Sequence, residues 1–105
     1  MKIEFLWFDE CRNHEAAREL LKAVLQTKHV QVNIEDIDAS DPERAEQLHF
    51  PGSPTIRING RDIEPGFVDP GDYWPRCRLY QIASGLAGLL QRDWLERAID
   101  EAISS

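Results

Sequence analysis

Residues 50–60 read FPGSPTIRING, and this stretch limits the fold more than any other part of the chain. Proline lacks a backbone donor and has a fixed φ, so Pro51 and Pro54 cannot sit inside a central strand. Directly after them Thr55-Ile56-Arg57-Ile58 alternates like a half-buried strand. Asn59-Gly60 is the strongest two-residue hairpin signal in the chain. Arg61-Asp62-Ile63-Glu64 then returns as a partner strand and stops at Pro65-Gly66. An antiparallel pair is therefore expected, its first strand opening from a rigid Ser53-Pro54 corner.

The flanking segments supply the rest of a sheet and its cover. Lys2 to Phe8 is apolar at nearly every position, as in a strand covered on both faces. From Asn13, a plausible N-cap, Ala17, Leu20, Leu21, Val24 and Leu25 recur at helical spacing, and Thr27-Lys28-His29 ends that helix. Val30, Val32, Ile34 and Ile37 alternate as a second strand. Ser40-Asp41-Pro42-Glu43 opens a short helix that ends near Leu48. Trp94, Leu95, Ala98, Ile99, Ala102 and Ile103 form one face of a last helix. Phe67 to Leu90 keeps no clean period and reads as a long connection with one short helix or turn around Tyr73 to Tyr80. Long connections in small domains are often functional.

The resulting order is β-α-β-α-β-β-α, an α/β arrangement. A right-handed crossover makes the first two strands parallel, and the Asn-Gly hairpin makes the last two antiparallel. Helices are expected on both faces of this four-stranded mixed sheet. At 105 residues the chain forms one domain, residues 1–105.

No apolar run approaches the roughly 20 residues of a membrane helix. MKIEFLWFDE reads as a strand rather than a signal peptide, so a cytoplasmic protein with no membrane partner is expected. The charge is −7, from 19 acidic and 12 basic residues, which argues against nucleic acid as a partner. Cys11 and Cys77 are the two cysteines. They cannot complete a four-thiolate zinc site, and in a reducing compartment they are not expected to be a purely structural staple. Special chemistry would use the thiol pair, or one thiol with its neighbours, and no cofactor is implied.

Cys11 follows the first strand and is expected at or just before a helix N-terminus. Unpaired N–H groups and the helix dipole there stabilise a thiolate. His14 and Arg12 would assist, while Asp9 and Glu10 oppose a further anion. The alternative is a small inert residue capping the core. Cys77 lies between Arg76 and Arg78, whose guanidinium groups would favour a thiolate or an anionic substrate. Its alternative is a place in the core far from Cys11. Tyr73 and Trp74 are candidates for a cleft wall, whereas Trp7 and Trp94 read as core or rim packing. His29 and His49 end elements on the solvent side, and Asp62 and Glu64 read as the solvated face of a strand.

The element order, with Ser53-Pro54-Thr55 opening the third strand, resembles the thioredoxin-like fold. That resemblance implies a cis Ser53-Pro54 bond whose bend brings the backbone beside Cys11. The turn DECRNH, the hairpin GSPTIRINGRDIEP and the later CRLY resemble small bacterial thioredoxin-like proteins that carry a D-G-C-P-N-H turn, a matching hairpin and C-R-L-Y. The chain departs from them at Glu10 and Arg12. Against a C-x-x-C redox turn, Cys11 matches the attacking cysteine and His14 replaces the resolving one.

Three readings follow. In the first, Cys11 is the nucleophile of a thiol–disulfide cycle on a thiol or disulfide substrate, with Cys77 as the resolving thiol. In the second, Cys11 and Cys77 with His14 or Asp9 hold a soft metal ion, a set similar in residue types to that of organomercurial lyases. In the third, the domain is a binding module without chemistry. The oligomeric state is open.

Overall fold

In the computed structural model, which describes residues 1–104, β1 (Ile3–Trp7) is an inner strand of a four-stranded mixed sheet. The other strands are β2 (Ile34–Asp38), β3 (Thr55–Ile58) and β4 (Arg61–Asp62), in the order β2-β1-β3-β4. β1 pairs parallel with β2, Ile3 opposite Ile34, and antiparallel with β3, Phe5 opposite Ile56. β3 and β4 pair antiparallel across the Asn59-Gly60 turn, where both residues have positive φ.

Side chains alternate along β1, so the sheet has two apolar faces. Ile3 and Phe5 point to one face with Ile56 and Ile58. This face is covered by α1 (Asn13–Thr27) and α3 (Arg92–Ser104) through Leu21, Val24, Leu95 and Ile99. Leu6 points the other way, into a smaller cluster with Ala39, Ala45 and Phe50 under α2 (Pro42–Gln47). Arg57 also serves this second face, donating to the Leu48 and His49 carbonyls at 2.8 and 2.7 Å. Leu48 is the C-cap of α2 and His49 follows it, so Arg57 closes the C-terminal end of that helix. Helices thus lie on both faces, as the pattern required.

Several details depart from the expectations. α1 begins at Asn13, with Arg12 as N-cap and no side chain capping it. β2 starts at Ile34 rather than Val30, because its partner β1 is five residues long and the parallel register begins at Ile3. Val30 and Val32 pack on the core from a loop, and Val30 N–H donates to the Leu25 carbonyl at the end of α1. His29 and His49 are exposed with φ of 56° and 51°, both just past a helix end. β4 ends at Asp62, where the Asp62 carboxylate accepts from Glu64 N–H and turns the chain.

Around Tyr73 to Tyr80, where a short helix or turn was expected, the chain forms no helix. Cys77 instead makes a parallel bridge to Ser53. Beyond it β5 (Tyr80–Ile82) and β6 (Gly85–Ala87) form a separate antiparallel hairpin. Tyr80 is its anchor, fully buried with its hydroxyl donating to the Pro54 carbonyl. Among the described residues no helix is long and apolar enough to cross a membrane.

Candidate functional site

Pro51 through Ile56 are all buried, so the corner that opens β3 is interior structure rather than a surface loop. Its Ser53–Pro54 peptide bond is cis. Ser53 is fully buried, and its backbone works on two sides. Its carbonyl accepts from Arg78 N–H at 2.9 Å, and its N–H donates to the Arg76 carbonyl at 2.7 Å. The same carbonyl accepts from Cys11 Sγ at 3.4 Å. Among the described residues the Ser53 hydroxyl has no hydrogen-bond partner.

Cys11 lies immediately before the N-cap of α1, where the sequence put it, held in a turn by its N–H to the Phe8 carbonyl at 3.0 Å. It is fully buried, whereas Cys77 is exposed, and both are free thiols. The two thiols interact across Ser53. Hydrogen bonding to Cys11, then partial burial, then charge on Cys11 push the Cys77 thiol up to about 11. The core position considered for Cys77, far from Cys11, is therefore not the one it occupies.

The expected effect of the flanking arginines is overturned. Arg78 is buried and fully committed. It donates to Asp62 at 2.7 and 2.9 Å, to Glu64 at 3.0 Å and to the Thr55 hydroxyl at 2.9 Å. Its guanidinium also lies 4.1 Å from the Tyr80 ring centre. Burial disfavours its charge, but Asp62 and Glu64 outweigh this and raise its pKa. Arg76 is held by Asp72 at 3.3 Å. Neither guanidinium is free for an anionic substrate, and the Cys77 thiol is raised rather than lowered.

Asp62 and Glu64 are likewise not a solvated face. Their side chains are 4% and 15% exposed, closed over Arg78. Strand alternation predicted exposure for both. It could not show that a buried arginine would arrive from 16 residues downstream.

His14 packs against the sheet. Its ring stacks on Trp7 at 4.9 Å, and its Nδ1 lies 3.5 Å from Glu15 Oε1. Trp7 in turn donates to Asp36, which Arg18 also holds, so the imidazole belongs to a helix–sheet contact at the rim. Asp9 is exposed, its N–H donating to the Ser40 hydroxyl. Among the described residues no group of three or more His, Cys, Asp or Glu side chains is placed to hold a metal ion. Cys11 and Cys77 come together around Ser53, Cys11 Sγ on its carbonyl and Cys77 in a bridge to it.

Tyr73 and Trp74 part company. Tyr73 stacks on His49 at 4.5 Å and donates to Asp69, while Trp74 stays 57% exposed three residues before Cys77. The feature that sequence reasoning missed is the clamp of Arg78 on Asp62 and Glu64. The available signal was charge complementarity between CRLY and the RDIE strand. Searches of protein-family models, of curated proteins and of solved structures found no match to the chain.

Proposed function

We propose that this chain is a thioredoxin-like thiol–disulfide protein whose Cys11 and Cys77 cycle between dithiol and disulfide. One observation carries the reading: two thiols 66 positions apart (77 − 11) interact across the single residue Ser53. A buried sulfur and an exposed one, at a helix N-terminus and beside a cis proline, fit a pair that exchanges electrons with a partner outside the protein. The element order and the cis bond at Ser53-Pro54 support the family resemblance.

The reaction balances as two protein thiols plus an external disulfide giving one protein disulfide plus two external thiols. The chain's own residues supply the alignment. Ser53 holds Cys11 by its carbonyl and the Cys77 segment by its main chain, while Arg78 secures that segment to the hairpin. The test is a thiol count on folded protein before and after reduction, with the bridge located by peptide mapping. Two thiols that appear only after reduction, mapped to a Cys11–Cys77 bridge, support the reading. Thiols that stay free in excess glutathione disulfide defeat it.

A further inference from the structure

We propose that Cys77, not Cys11, is the sulfur that exchanges with external thiols and disulfides, and that Cys11 is the buried sulfur that leaves and returns. This rests on the thiol–disulfide reading and reverses the roles implied by the resemblance. The reason is access. Thiol–disulfide exchange requires the incoming sulfur to reach the sulfur it attacks. Cys11 is fully buried beneath the Ser53 carbonyl. Cys77 is exposed on a segment laid over Ser53, with Trp74 and Leu79 exposed on either side.

In the oxidised protein an external thiolate attacks Cys77 Sγ. The Cys11–Cys77 bond breaks, and its electron pair departs on Cys11 Sγ. Cys11 lies just ahead of α1 and, once it has taken up a proton, returns to donate to the Ser53 carbonyl. A second external thiolate then attacks the external sulfur of the mixed disulfide. Cys77 is released and takes up a proton. The sum is one external disulfide formed and the protein reduced by two electrons. The oxidation direction retraces these steps, with the mixed disulfide again on Cys77. In the reduced pair Cys77 is raised beside Cys11, so its attack on an external disulfide quickens as pH climbs toward about 11.

The experiment uses oxidised wild-type protein and limiting reduced glutathione, quenched in acid. Free thiols are then alkylated and the adducts mapped. Glutathione on Cys77 with alkyl on Cys11 is the expected result. Reduced Cys11→Ser treated with glutathione disulfide should hold a stable adduct on Cys77. Cys77→Ser should stay unmodified while folded and react at Cys11 only after unfolding in urea. Glutathione on Cys11 of the wild type, rapid modification of folded Cys77→Ser, or no adduct on Cys77 in either protein overturns the assignment. If the wild type forms no internal disulfide at all, the thiol–disulfide reading itself has failed. If the bridge forms and the adduct maps to Cys11, only the assignment of roles has failed.

Discussion

Ser53 and Cys77 are joined as a parallel β-bridge, with Ser53 N–H donating to the Arg76 carbonyl and Ser53 C=O accepting from Arg78 N–H. Through this bridge a segment remote in sequence comes to lie against the strand-opening corner that also holds Cys11. The bridge has two supports on either side of it. Gly52 lets the segment approach closely, and Arg78 anchors it in the hairpin.

Gly52 tests the first support. Its φ is +132°, and a Cβ there would meet Arg78 Cβ at 2.9 Å and Arg78 Cα at 3.2 Å. Both the backbone conformation and the space exclude a side chain. Gly52→Ala should lose roughly 2 kcal/mol of stability in urea denaturation, in the range of a single strained backbone position. It should also loosen Cys77 from Cys11, which lowers the pH at which Cys77 alkylates.

Arg78 tests the second. Removing it leaves Asp62 and Glu64 facing each other without a cation in a nearly closed site. Breaking a buried ion pair from one side costs about 3–5 kcal/mol. Arg78→Ala should therefore fall near the lower end of that range in chemical denaturation. Arg78→Lys should lie between it and the wild type, because an ammonium keeps the charge but not the two-pronged hold on Asp62.

The Cys77 thiol gives a pH signature. In the reduced protein its alkylation by iodoacetamide should rise through about pH 11 instead of through 9.0. Cys11→Ser removes the hydrogen bond and the charge that hold the proton, so the midpoint should move back toward 9.0. The sign for stability follows. A folded pKa above the unfolded value contributes fully below 9.0 and is lost as pH climbs through about 11. An unmoved midpoint in Cys11→Ser would show that the two thiols do not interact.

Oxidation should stabilise the fold. A Cys11–Cys77 bridge closes a loop of 66 positions (77 − 11), worth roughly 4 kcal/mol in the chain-entropy view. Thermal denaturation with and without reductant should show a higher midpoint for the oxidised protein. That difference should vanish in Cys77→Ser. Equal midpoints for oxidised and reduced wild type would mean the bridge strains the native state by as much as it restrains the unfolded chain.

Local sequence determined the elements where period and punctuation act over a few residues. The helices at Asn13–Thr27, Pro42–Gln47 and Arg92–Ser104, the hairpin at Asn59-Gly60 and the place of Cys11 ahead of a helix were all readable, because spacing, caps and turn residues are short-range causes. Tertiary structure alone decided the partners. The length of β2 came from the register available on β1, not from the alternation that began at Val30. Asp62 and Glu64 went inside because Arg78, 16 and 14 residues further on, arrived to pair with them. Cys77 met Cys11 because the main chain of Ser53 had free N–H and C=O groups that a buried corner must satisfy. No local pattern encodes which distant segment will fill such a vacancy, and here that choice set the surroundings of Cys77.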